Sequence, residues 1–131
     1  MRYLLDTNIV IAVLNRRSDI TIARLAARRA DVAMSAIVAF ELSYGAYNSA
    51  KPIENLRRMY SIDLPILELT TADGVQAGCI RAALRAAGTP IGHYDVLIAG
   101  QALARDMTVV TNNTGEFARV AGLKLEDWTA P

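Results

Sequence analysis

The sequence predicts an α/β domain with a central, mostly parallel sheet of four to five strands flanked by helices. Two observations predict it. Short apolar runs alternate along the chain with segments of helical spacing, the pattern of strand-helix units that build a parallel sheet. The first run, Tyr3-Leu4-Leu5, carries no polar position on either face, as in a strand covered on both sides, and it runs straight into Asp6.

Each element follows from local chemistry. Thr7 to Leu14 reads as a short, largely buried helix, ended by the polar turn Asn15-Arg16-Arg17-Ser18-Asp19. Ile20 to Ala30 spaces Ile22, Leu25 and Ala26 on one face and Arg24, Arg28 and Arg29 on the other, a surface helix. Val32 to Ser35 is a second strand, with Ser35 placed to cap a nearly all-apolar helix, Ala36 to Ser49, that contains a single acid, Glu41. Pro52 suits the first turn of a helix reaching Tyr60. Ile66 to Leu69 is a third strand, and Thr70 or Thr71 caps a helix from Ala72 to Ala87 that Gly88-Thr89-Pro90 stops. Gly92-His93-Tyr94 reads as a loop, Asp95 opens the helix Val96 to Arg105, and Met107 to Thr111 is a fourth strand. Asn112-Asn113-Thr114-Gly115 is turn chemistry, and Gly122 to Leu125 is a fifth, edge strand before Trp128.

At 131 residues the chain makes one domain, residues 1–131. The lone Cys79 allows no internal disulfide and fits a reducing cytoplasm, where it is expected to pack as a small hydrophobe. The hydrophobic share, 53%, is high, yet no apolar run approaches the roughly 20 residues of a membrane span. The excess therefore belongs to core or interface. With no leader-like start, a cytoplasmic protein is expected.

Three acids stand in surroundings that ought to exclude them. Asp6 follows Leu4-Leu5, Glu41 sits within Ile37 to Leu42, and Asp95 precedes Val96-Leu97-Ile98. A buried carboxylate without a partner costs several kcal/mol or more, and gathering three adds mutual repulsion. No lysine or arginine lies in these segments. A divalent cation is the economical partner, and oxygen-only ligands select Mg²⁺, with Mn²⁺ as substitute, over zinc. Strand ends in a parallel sheet meet on one edge, so the three can converge there, joined by Glu116 just past the fourth strand. The bland alternative for Asp6 is an ordinary helix N-cap. With the four acids set aside, fourteen basic residues, mostly arginines, face nine acids. Arginine forks match phosphate oxygens, which makes a nucleic acid a fitting partner, with ordinary solvated helix faces as the alternative.

Four stretches carry a family likeness: Leu5-Asp6-Thr7-Asn8, Phe40-Glu41-Leu42-Ser43-Tyr44-Gly45, Tyr94-Asp95-Val96-Leu97-Ile98-Ala99, and Thr111-Asn112-Asn113 through Glu116-Phe117. In this order they resemble the PIN-domain ribonucleases, and within them the VapC toxins of bacterial toxin–antitoxin pairs. The resemblance implies a Mg²⁺-dependent endoribonuclease in which Asp6 and Asp95 hold metal directly while Glu41 and Glu116 complete the acidic pocket. It also implies a small VapB-like antitoxin partner and a homodimer, and it points to structured RNA such as tRNA as substrate. Two departures stand out: His93 where the family often has proline, and Asn112-Asn113 where many members carry aspartate. The second leaves Glu116 or Asn113 as the fourth site residue, and Glu116 is the choice.

Thr7, Asn8, Thr111 and Asn112 are candidates to orient water or acid oxygens, with cap and turn roles as the alternative. His93 is a weak candidate for a general base. Tyr44 and Tyr47 read as groups that stack on bases or pack against a partner helix, with at least one expected in the core. The helices Thr7–Leu14 and Ala36–Ser49 are expected to border a groove for an antitoxin segment. Receiver domains and haloacid-type phosphatases also place acids at strand ends. The first place the phosphoacceptor mid-chain and need a lysine that Thr111-Asn112-Asn113 does not supply, and the second need an Asp at position 8, which is Asn here. The remaining alternative is a catalytically silent PIN-fold module that binds RNA or protein.

Overall fold

A computed structural model describes residues 1–131. Five strands form one sheet in the order β3-β2-β1-β4-β5, and every neighbouring pair is parallel. The strands are β1 (Tyr3–Leu5), β2 (Val32–Ser35), β3 (Ile66–Leu67), β4 (Thr108–Val110) and β5 (Lys124–Glu126). The helices are α1 (Thr7–Leu14), α2 (Asp19–Arg28), α3 (Ala36–Tyr47), α4 (Pro52–Ser61), α5 (Thr71–Ala86), α6 (His93–Ala104) and α7 (Thr114–Phe117). A single 3-10 turn, Arg29–Asp31, leads into β2.

The chain moves outward from β1 through β2 to β3, then returns to the other side of β1 for β4 and β5. The order therefore reverses between β1 and β4, which leaves a crevice beyond their carboxyl ends. β1 registers Leu5 against Met34 on one side and Val110 on the other. Tyr3, Leu4 and Leu5 are all buried, as expected of a central strand with both faces covered. Val109, Val110, Ile98, Phe117 and Trp128 fill the core around it.

Several boundaries differ from the sequence reading, each for a local reason. α3 ends at Tyr47, short of Ser49, because the Ser49 hydroxyl turns back to donate to the Ala46 carbonyl at 2.6 Å. β3 stops at Leu67 because the Leu67 and Glu68 carbonyls accept from the Gln101 side-chain amide, and Glu68 also from Arg105. His93 and Tyr94 are not a loop. They form the first turn of α6, entered from Gly92, whose carbonyl accepts from Val96 N–H at 3.1 Å. Thr70 caps α5 in a reciprocal box with Asp73, and Gly88 ends it at φ 73°. Cys79 is exposed and so is not the packed hydrophobe expected of it. Tyr44 and Tyr47 are 65% and 68% exposed, so neither belongs to the core. No helix is long and apolar enough to cross a membrane.

Candidate active site

Asp6 follows β1 and caps α1, so the cap reading holds for it, and the cap places its carboxylate at the carboxyl edge of the sheet. Its two carboxylate oxygens take different donors: Oδ1 accepts from Thr7 N–H at 2.8 Å and Oδ2 from the Thr111 hydroxyl at 2.8 Å. Thr111 immediately follows β4, so this second bond spans the crevice where the strand order reverses. The Thr111 hydroxyl in turn accepts from Asn113 N–H at 2.9 Å, and the Asn113 side-chain amide donates to Glu116. On the other side the Thr7 hydroxyl donates to Glu41 at 3.0 Å. A single polar chain thus runs from Glu116 through Asn113, Thr111, Asp6 and Thr7 to Glu41.

Asp95, in the first turn of α6, faces this chain. Its carboxyl is raised from the usual 3.8 to about 6, first by burial and then by the charges of Asp6, Glu116 and Glu41. Asp6 is raised as well, mainly by burial, against the lowering effect of its bonds from Thr111 and Thr7. Asp95 thus feels three other carboxylates across a partly desolvated space, while Asp6 feels burial first and Glu116 beside it. No ion pair of the structure includes any of the four. Asp6, Glu41 and Glu116 lean on their own donors, and no three acids are drawn to metal-ligand distance of one point.

All the acid oxygens belong to carboxylates, with hydroxyl and amide groups around them and no cysteine or histidine among the site's bonded groups. That donor set, with uncompensated negative charge, fits a hard divalent ion. Thr7 and Thr111 are placed as the sequence suggested, on acid oxygens. Asn8 and Asn112 are exposed and sit outside this chain of bonds. Asn113, read only as a possible replacement for the fourth acid, is instead the group that holds Glu116. The signal for that was its spacing of three residues ahead of Glu116 in a helical turn. His93 is exposed two residues before Asp95.

Two further features border the acids. Phe40 and Tyr94, the residues immediately before Glu41 and Asp95, meet edge to face with ring centres 5.2 Å apart, and both are about half exposed. A groove of about 250 Å³ lies between α1, α3 and α4, lined by Ile11, Leu14, Leu42 and Met59 together with Asn15, Asn55, Arg58 and Glu41.

Crevice, parallel sheet and carboxylate cluster together define a class. The family model described as PIN domain matches residues 3–123, and the chain belongs to the PIN-domain family. Within that family it belongs to the VapC group. It is 37% identical over 130 residues to the tRNA(fMet)-specific endonuclease VapC of Salmonella typhimurium, covering 98% of both chains. It is 36% identical over 132 residues to ribonuclease VapC2 of Rickettsia felis, covering 98% of each. Among solved structures, the DNA-bound VapBC of Salmonella typhimurium superposes with a TM-score of 0.94 at 37% identity and 98% coverage of both chains.

Proposed function

We propose that this chain is a Mg²⁺-dependent endoribonuclease toxin, held in check by a VapB-like antitoxin. The observation that carries the reading is the meeting of Asp6, Glu41, Asp95 and Glu116 at the crevice beside β1 and β4 with no cation of the protein's own to balance them. Asp6 and Asp95, whose carboxyls burial raises, are the residues to hold the metal directly, and Glu41 and Glu116 complete its surroundings. A bound Mg²⁺ or Mn²⁺ supplies a water of lowered pKa and stabilises charge developing on a phosphodiester.

The protein's own groups have separate tasks. Thr111 and Thr7 fix the Asp6 carboxylate through both oxygens, so its orientation is set before any ligand arrives. Asn113 and the Thr7 hydroxyl do the same for Glu116 and Glu41. The exposed faces of Phe40 and Tyr94 offer stacking surface to an unpaired base beside the acids. Substrates in single-stranded loops suit this arrangement, and tRNA is the finer reading favoured by the name of the Salmonella relative.

The α1–α3–α4 groove supports an antitoxin segment whose apolar residues seat on Leu14, Leu42 and Met59, with a basic side chain directed past Glu41. VapBC complexes among the solved relatives support a partner of this kind. A homodimer is part of the same reading.

The test is to map new 5′ ends in total RNA after brief induction of the protein, with Asp95→Ala as control. One dominant Mg²⁺-dependent cut, absent from the control and from EDTA-treated samples, is the expected result. A silent binding module would keep its RNA affinity in EDTA and after Asp6→Asn and would produce no cut.

A further inference from the structure

We propose that the groove between the C-terminal half of α5 and the start of α6 is a phosphate-binding subsite, which takes the backbone of the RNA strand next to the bond being cut. The inference rests on the nuclease reading above and adds the residues that guide the strand. Arg81 and Arg85 lie one turn apart on α5, and both are exposed. With Gly92 and His93 they line a groove of about 500 Å³ over the buried Leu84 and Val96.

No Asp or Glu lines this groove, and neither arginine takes part in an ion pair. Like charges four residues apart on a helix repel one another. Arg85 has a structural reason to be where it is, since the last turn of a helix favours a cation. Arg81 lies a turn earlier, outside the helix's last turn, and is exposed without an ion-pair partner. The Arg119 guanidinium donates to the Pro90 carbonyl at 2.9 Å and so fixes the loop that bounds the groove.

The position of the groove identifies its occupant. A Cβ built on Gly92 would stand 3.1 Å from an Asp95 carboxylate oxygen, so the groove and the acid pocket share a wall. A polyanion approaching four carboxylates needs adjacent positive charge, and guanidinium forks match phosphate oxygens. A strand with its scissile phosphate at Asp95 meets Arg81 and Arg85 through neighbouring phosphates. Such contacts position the strand without reading its sequence.

The test uses a fluorescein-labelled, mixed-sequence, single-stranded RNA of about 12 nucleotides, a site size typical of single-strand binders. Its binding to the full chain is followed by anisotropy in EDTA, where cleavage is blocked, over a range of KCl. Cleavage of the same RNA is then followed in Mn²⁺. The Arg81→Gln/Arg85→Gln protein is expected to bind at least about tenfold more weakly, with the log K against log salt slope flattened by about 1.4, or roughly 0.7 for each phosphate no longer neutralised. Arg81→Lys/Arg85→Lys keeps the slope and loses only part of the affinity. Single Arg81→Gln, with melting curves for all variants, keeps the test open if the double variant fails to fold.

RNA affinity within twofold of wild type and an unchanged slope in the Gln variants overturn the subsite, and an acidic protein segment becomes the better occupant. If wild type binds through the arginines but cuts neither this RNA nor total tRNA in Mn²⁺ or Mg²⁺, the nuclease reading fails and the subsite stands. If Gln variants and wild type bind and cut alike, the subsite fails and the nuclease reading stands.

Discussion

Asp95 is where the price of the site is clearest. With its native carboxyl at about 6 and its unfolded value near 3.8, the folded protein binds this proton more tightly than the unfolded chain does. Stability contributed by the group is therefore lost as pH rises from about 3.8 to 6, and the full penalty is present at neutral pH. A rise of that size corresponds to about 3 kcal/mol at most, and solvent screening of a group that is only partly buried brings the figure down. Asp95→Asn is expected to stabilise the metal-free protein by about 1–3 kcal/mol at pH 7.5 while abolishing cleavage. The gap from wild type should narrow as pH falls toward 4. Urea unfolding in EDTA across that range measures it, and a variant no more stable than wild type at neutral pH would refute the repulsion described here. Thr111 works in the opposite sense, since its hydroxyl stabilises the ionised Asp6. Thr111→Val is expected to lower metal affinity and cleavage by about 10–100-fold with the fold intact, measured by Mn²⁺ titration beside a melting curve.

At the scale of elements, α6 has to present Asp95 correctly, and two features of its contact with α5 make it do so. Gly100 sits against Ala77 so closely that a Cβ there would lie 2.5 Å from the Ala77 Cβ and 2.6 Å from its backbone. Gly100→Ala must push the helices apart and is expected to destabilise by about 1–3 kcal/mol, with cleavage reduced beyond what the lost folded fraction explains. Thermal melts and specific activity on the folded fraction separate the two effects. The second feature is Asp73, almost fully buried, which accepts from Arg105 at 2.9 Å and from Thr70 N–H at 2.9 Å. Burial alone would raise its carboxyl, but the Arg105 and Thr70 bonds outweigh it and hold the group below the usual 3.8. Its stabilisation is thus present above about 3.8 and disappears as pH falls through the lower native value. Asp73→Ala is expected to cost about 3 kcal/mol at pH 7, and the loss should shrink in acid, as denaturant midpoints at pH 7 and pH 3 will show. None of this pairing was legible in the sequence. Neither Gly100 nor Asp73 stands out along the chain, because their partners, Ala77 and Arg105, are remote in sequence and only packing reveals them.

Over the whole molecule, the fold and the acids were readable for the same reason: carboxylates abutting apolar strands and helices break the pattern that burial imposes, so the exceptions mark the site. What stayed hidden was contact and exposure. At least one of Tyr44 and Tyr47 is expected in the core from sequence, yet both are exposed, because local composition does not distinguish a helix face turned inward from one left for partners. Asn113 read as a vacant acid position because a one-dimensional motif cannot show a side-chain amide reaching Glu116. The bond from Thr111 to Asp6 joins groups 105 residues apart. Until β4 is laid beside β1, Asp6 and Glu116 have no means of meeting. A nascent chain made only as far as α6 already holds every residue of the α1–α3–α4 groove together with Asp6, Glu41 and Asp95, but lacks Thr111 and Glu116, so that groove is complete before the acid cluster can close.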